Sequence, residues 1–138
     1  MTNPQIKTWA TKAKSPVGYN PTAKDAFLRG ARSLANEIVK RLGLAKGEYR
    51  VSRNEGGIAV SGEVYVYTPH VFICIEQSCV GDGGFYYRTC EGLGKSGTGP
   101  EHVNNWIMWD RLIADPDYVI DTIKRLYDRK KAVEAAAA

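Results

Sequence analysis

Long hydrophobic stretches are missing from this 138-residue chain. No apolar run approaches the roughly 18 residues that a membrane-spanning helix needs. Residues 1–14 are polar and basic, and they lack the apolar segment of a secretory signal. The sequence therefore predicts a cytoplasmic protein without a membrane anchor.

Cysteine and histidine are scarce, which limits metal and enzyme chemistry. Three cysteines are an odd number, and this favours reduced thiols over a disulfide framework. A zinc site would have to combine these cysteines with one of the two histidines (Cys74, Cys79, Cys90 and either His70 or His102). Zinc ligands usually come in closely spaced pairs, whereas an unpaired cysteine is usually a small buried hydrophobe. We therefore predict no metal ligand, and a zinc-dependent protein is only the third hypothesis.

Catalytic and cofactor motifs are also lacking. Two histidines, both in predicted turns or loops, leave few ways to build a Ser-His-Asp arrangement. Residues 94–96 resemble the end of a phosphate-binding loop, but Thr89 stands where its first glycine is required and residues 97–100 cannot open a helix. Residues 99–102 resemble a loop of double-stranded RNA-binding domains, but they follow the predicted sheet, whereas that loop lies between two strands. The sequence predicts no catalytic residue, no cofactor and no enzymatic activity.

Positive charge is concentrated in the N-terminal part of the chain. Residues 1–54 contain eleven Lys and Arg against three acids, whereas residues 55–101 contain two bases against six acids. Such asymmetry is typical of polyanion-binding surfaces, although a solvated helix face also produces it. The alternative functional hypothesis is therefore a nucleic-acid-binding protein that uses Arg29, Arg32, Lys40, Lys12 and Lys14.

Two helices are predicted, one on each side of a central β-rich region. In the first helix, Asn20 suits the N-cap, Pro21 suits the first position and Gly43 ends the helix. The second helix follows Asp115 as its cap and Pro116 at its first position. Apolar residues at spacings of three and four give each helix one buried face. These residues are Phe27, Ala31, Leu34, Ile38 and Leu42 in the first helix, and Val119, Ile120, Ile123, Leu126 and Tyr127 in the second.

Four strands are predicted at residues 49–53, 58–67, 71–78 and 85–90, where β-branched and aromatic residues alternate between Gly- and Pro-containing turns. We expect an α+β two-layer sandwich, in which a four-stranded antiparallel meander packs against an N-terminal and a C-terminal helix. Residues 1–19 are predicted to be an irregular basic arm, residues 20–134 a single domain and residues 135–138 an alanine tail.

The predicted sheet has two different faces, because side chains alternate along a strand. The aliphatic face is expected to pack on the helices. On the other face, Glu63 and Glu76 are expected to be neighbours, as a solvated pair or as general acid and base. Either the N-terminal arm or residues 106–113 cover this second face, or a protein partner does. The candidate partner-binding residues are Tyr65, Tyr67, Phe72, Tyr86 and Arg88.

Residues 53–64 (RNEGGIAVSGEV) resemble a stretch in uncharacterised small accessory proteins of tailed bacteriophages. The resemblance extends over residues 50–90 and contains no catalytic residues. It implies a small accessory protein in the cytoplasm of a host cell, which binds and modulates or inhibits a host protein or handles DNA. A non-enzymatic binding protein, with a host protein or a second copy of the chain as its partner, is accordingly the first functional hypothesis.

Overall fold

A computed structural model describes residues 4–14, 21–54, 62–77 and 84–137 of the protein. Within these ranges the chain forms an α+β fold, in which four helices pack on one face of a five-stranded antiparallel sheet. The helices are α1 (Gln5–Lys14), α2 (Pro21–Arg41), α3 (Trp109–Ala114) and α4 (Pro116–Ala137). The strands are β1 (Arg50–Asn54), β2 (Glu63–Tyr67), β3 (Val71–Glu76), β4 (Gly84–Thr89) and β5 (Asn105–Met108).

The strands follow one another in the sheet in chain order, β1-β2-β3-β4-β5, and the predicted meander is confirmed. The expected number of strands was wrong, because β5 pairs with β4 and extends the sheet by one strand. The four residues of β5 are too few to show a clear alternation of apolar and polar side chains, so the sequence did not indicate a strand. The tryptophan that follows them already belongs to α3. Residues 58–61 and 78, which the sequence assigned to strands, lie outside the described residues.

Helix α2 agrees with its prediction in position, in buried face and in the signal that ends it. All five residues of the predicted apolar stripe are buried. At its C-terminal end the Leu44 N–H donates to the Val39 carbonyl, and the Gly43 N–H donates to the Lys40 carbonyl. Gly43 has a φ of 78°, which is the left-handed conformation that this pair of hydrogen bonds requires. Asn20, the predicted cap, lies outside the described residues.

The prediction of an irregular N-terminal arm was wrong for residues 5–14, which form α1. Ile6, Ala10 and Ala13 are buried on one side of this helix, and α1 packs against α2 and α3. A Cβ atom added at Gly30 of α2 would lie 3.4 Å from the Trp9 carbonyl oxygen, so the two helices approach closely. A buried stripe that contains two alanines is a weak signal of a helix in the sequence. Packing against the other helices stabilises α1.

Helix α4 begins as predicted, with Asp115 Oδ1 accepting a hydrogen bond from the Tyr118 N–H at 3.3 Å. The separate alanine tail was wrong for residues 135–137, because α4 continues to Ala137. None of the helices in the described ranges combines the length and apolar content that crossing a membrane requires.

A substitution at Gly84 tests the pairing of β5 with β4. A Cβ atom at this position would overlap the backbone carbonyl of Ile107, to which β4 is adjacent. We expect Gly84→Ala to separate β5 from β4 and to lower the free energy of unfolding by about 1–3 kcal/mol. The measurement is urea unfolding followed by tryptophan fluorescence, since Trp109 is buried directly after β5.

Gly30→Ala is the matched control for this substitution. A Cβ atom at Gly30, which lies within α2, would make only ordinary van der Waals contacts with α1. Replacing a helical glycine with alanine is expected to be neutral or to stabilise by up to about 1 kcal/mol. Equal stability of Gly84→Ala and the unmodified protein would contradict the close approach of β5.

Candidate functional site

The face of the sheet that points away from the helices is the candidate site, and we call it the open face. The strand register arranges its side chains in three rows across the sheet. The basic row contains Arg50, Tyr67, Phe72 and Arg88. The aromatic row contains Ser52, Tyr65, Cys74, Tyr86 and Trp106. The acidic row contains Asn54, Glu63 and Glu76, and Met108 lies beside it on β5.

The helices pack only on the opposite face in the part of the chain that the structure describes. The main core joins residues of all four helices to the aliphatic side chains of the strands. A second, smaller cluster on the open face consists of strand residues and Cys90. Both intrachain covers proposed from the sequence were therefore wrong for the described residues: α1 packs on other helices, and residues 106–113 form the edge strand and α3.

All five predicted partner-binding residues lie together on the open face, but they differ in accessibility. Phe72 is only 3% exposed. Its ring centroid lies 5.3 Å from that of Tyr67, 6.2 Å from that of Tyr65 and 6.3 Å from that of Tyr86. The expectation of an exposed Phe72 was wrong, because the three tyrosines and Arg88 surround it. Phe72 thus supports the tyrosines of the open face from below.

The guanidinium groups of the two arginines in the basic row lie over aromatic rings. The Arg88 guanidinium carbon is 5.0 Å from the Phe72 ring centroid and 5.2 Å from that of Tyr86, and Arg50 is 4.7 Å from the Tyr67 centroid. Such cation–π contacts stabilise by about 0.5–1 kcal/mol each at exposed sites. The end of the open face at this row is therefore positively charged.

The segment between β4 and β5 holds Arg88 in place. Arg88 Nε donates to the Ser96 carbonyl oxygen at 2.6 Å, and Nη1 donates to Asn104 Oδ1 at 2.9 Å. Gly97 allows this approach, since it has a φ of 73° and a Cβ there would overlap the Thr89 carbonyl. The glycine-rich segment thus positions an arginine of the open face.

The opposite end of the open face is acidic. Glu63 and Glu76 are directly paired across β2 and β3, as predicted, and the Cys74 sulfur lies 3.7 Å from a carboxylate oxygen of each. Burial, followed by repulsion from Glu63, raises the pKa of Glu76. Burial also raises the pKa of the Cys74 thiol to about 12, and the two carboxylates add to this rise. A thiol that stays protonated is a poor nucleophile, so Cys74 itself is not activated for nucleophilic attack.

Trp106 is the residue that the sequence analysis missed. It is 56% exposed and meets Tyr86 edge to face, with 4.9 Å between ring centroids. Met108, two residues further along β5, is 49% exposed on the same face. Only the pairing of Trp106 with Tyr86 places it on the open face, and no signal in the sequence indicated that pairing.

The basic residues of the alternative hypothesis lie on α1 and α2. Lys12 and Arg29 line a shallow cleft between α1 and α2 with Trp9, whereas Arg32 lines a different cleft beside β1. Lys14 pairs with Asp110 at 2.6 Å, and Arg29 pairs with Asp25 at 3.0 Å. Lys40, also exposed, lies eleven residues beyond Arg29 on α2. Eleven residues are about three helical turns, so Lys40 and Arg29 lie on the same side of α2.

The cysteines and histidines do not converge on a zinc site in the described residues. Cys74 and Cys90 are buried free thiols, and Cys79 lies outside the described ranges. His102 instead lies beside two glutamates, and His70 lies beside Glu134.

No protein-family profile, no curated protein and no solved structure matches the chain.

The pairing of Glu63 with Glu76 should make the stability of the fold depend on pH. Because the pKa of Glu76 is raised on folding, the folded state holds this proton more tightly, and stability falls as the pH rises through that pKa. Glu76→Gln removes the repulsion, and we expect it to stabilise the protein at pH 7 by roughly 0.2–1 kcal/mol. The gain should disappear well below the ordinary glutamate pKa, in urea unfolding measured across pH.

Glu37→Gln, on α2 and away from the open face, is the control and should leave the pH profile of stability unchanged. A loss of stability in Glu76→Gln at pH 7 would show that Glu76 makes a net favourable interaction there.

Proposed function

We propose that this chain is a non-enzymatic binding protein that engages a protein partner through the open face. The observation that carries the proposal is the aromatic row, where Tyr65, Tyr86 and the exposed Trp106 lie in one line across the sheet, between a basic and an acidic row. Tryptophan, tyrosine and arginine are the residues that dominate protein-interface energetics. The resemblance of residues 50–90 to phage accessory proteins favours a host protein as the partner, modulated or inhibited on binding.

The charge distribution defines the chemistry of that partner. A complementary partner has acidic groups opposite Arg50 and Arg88. It has basic groups opposite Glu63 and Glu76, which lie about four residues further along the strands. An apolar strip between these two groups would meet the aromatic row. A polyanion is disfavoured, because the acidic row would repel it.

The size of the open face suits a small interface. Five strands spaced about 4.8 Å apart and three rows about 6.8 Å apart give a projected area of roughly 500 Å². This is below the ~800 Å² that each partner contributes to a standard interface. The central aromatic residues therefore have to supply most of the affinity.

Trp106→Ala tests the proposal at its most exposed aromatic residue. We expect a loss of partner affinity of about thirtyfold, the size of an interface hot spot. The measurement is capture of host-lysate proteins on the immobilised chain, followed by titration of the captured protein against each variant. Phe72→Ala is unsuitable, because the buried ring supports its neighbours and its removal would destabilise the fold.

Val133→Ala is the matched control, since Val133 is 59% exposed but lies on α4. Its affinity should equal that of the unmodified protein. Unchanged affinity of a folded Trp106→Ala, Tyr86→Ala double variant would rule out the open face as the binding surface. Loss of capture after nuclease treatment would instead favour the alternative, a nucleic-acid-binding protein that uses Arg29, Arg32, Lys40, Lys12 and Lys14.

A second candidate is self-association through the same face, which its charge rows favour. A two-fold axis along the aromatic row would place the basic row of one copy opposite the acidic row of the other. Arg50 would then approach Glu63 of the second copy, and the aromatic rows would stack. Such an interface is isologous and leaves neither charged row unpaired.

Charge reversal tests this second candidate. We expect Arg50→Glu to weaken self-association, and the Arg50→Glu, Glu63→Arg double variant to restore it, because the double variant recovers opposite charges across the two-fold axis. The measurement is sedimentation over a range of protein concentrations. A monomer at every concentration that still captures a lysate protein would exclude the dimer and leave the first proposal standing.

A further inference from the structure

A histidine and two glutamates converge where β4 ends and the segment leading to β5 begins. Oε1 of Glu91 lies 3.0 Å from the Nε2 atom of His102, and Oε1 of Glu101 lies 3.5 Å from it. The ligand atoms of all three residues are within 4.8 Å of one another. These residues lie outside the open face, and the proposed protein-binding function does not use them.

His102 is the unusual member of this cluster. Its side chain is only 2% exposed, and its Nε2 atom is buried without a hydrogen-bond partner. Glu91 Oε1 is close to Nε2 but does not meet hydrogen-bond geometry. A buried ring nitrogen without a partner costs free energy, and a ligand on its lone-pair axis would remove that cost.

The other ring nitrogen is held by a hydrogen bond. His102 Nδ1 lies 2.7 Å from Thr89 Oγ1. If Nδ1–H donates to the hydroxyl, Nε2 carries the lone pair that a metal ion requires. Metal-binding histidines almost always have a hydrogen bond of this kind on their second nitrogen, where it fixes the ring orientation.

We propose that Glu91, Glu101 and His102 bind a divalent transition-metal ion of the zinc class. Zinc binds histidine nitrogen and carboxylate oxygen at about 2.0–2.2 Å, so two ligands at about 90–110° lie roughly 2.8–3.6 Å apart. The separations of 3.0 and 3.5 Å from Nε2 agree with this geometry. One nitrogen with two carboxylates suits zinc better than the all-oxygen sites of calcium and magnesium.

Both glutamates are accessible enough to adjust around an ion. Their side chains are 46% and 66% exposed, so water can complete the coordination. The ion would join residue 91, two residues after the end of β4, to residues 101 and 102, shortly before β5. It would thereby close the segment that contains Ser96, whose carbonyl accepts a hydrogen bond from Arg88.

Zinc titration of the full chain tests this proposal. The protein is stripped with a chelator, dialysed and titrated with zinc chloride by calorimetry, with thermal unfolding measured in parallel. We expect one zinc ion per chain and a higher unfolding temperature with zinc. Glu91→Gln and Glu101→Gln should each weaken binding about tenfold or more. They leave His102 in place, so the test does not depend on how His102→Gln folds.

Two controls separate this site from other groups that could hold zinc. Glu134→Gln removes the carboxylate beside His70, where His70 Nδ1 and Glu134 Oε2 are 2.7 Å apart. Glu63→Gln alters the other cluster of three potential ligands, with Cys74 and Glu76. Both variants should bind zinc as the unmodified protein does. No binding at millimolar zinc, or equal binding by Glu91→Gln and Glu101→Gln, would overturn the proposal.

Discussion

The register of β2 against β3 and β4 is the constraint on which the rest of the structure depends. Val64, Ile73 and Ile75 point into the core only in this register, and the same alternation sends the aromatic side chains to the other face. A slip of one residue would expose the aliphatic side chains and bury Glu63 and Glu76. The fold and the composition of the open face are therefore set by a single alignment.

That alignment also explains the polarity of the open face. Each row collects residues that are far apart in the chain: Arg50 and Arg88 share one row, although 38 positions separate them. Two of the acids in residues 55–101, Glu63 and Glu76, form an acidic row at one edge of an aromatic strip. Positive and negative charges of the open face are thus separated along the direction of the strands.

Much of the fold could be predicted from the sequence, because the relevant signals are local. The proline and glycine at the two ends of α2, its apolar stripe and the alternation in β2 and β3 each depend on neighbouring residues. The predictions for α1 and β5 were wrong for a different reason. The two alanines of α1 and the four residues of β5 are stabilised by what they pack or pair against, which a local pattern does not contain.

The candidate site was predictable only in part for the same reason. Alternation placed Tyr65, Tyr67 and Phe72 on one face, but exposure depends on the neighbours that the register supplies. Phe72 is surrounded by them, whereas Trp106, at the edge of the sheet, is not. The partnership of His102 with Glu91 requires the chain to turn back on itself over ten residues, and no spacing rule applied to the cysteines could indicate it.

The anchoring of Arg88 has a consequence for the strength of the binding that we propose for the open face. An unrestrained arginine samples many rotamers, and its ordering at an interface costs about 0.5–1.5 kcal/mol. Hydrogen bonds to Ser96 and Asn104 restrict this side chain before any partner arrives. The conformational entropy of Arg88 is thus largely lost when the chain folds, so association through this end of the face incurs little of that penalty.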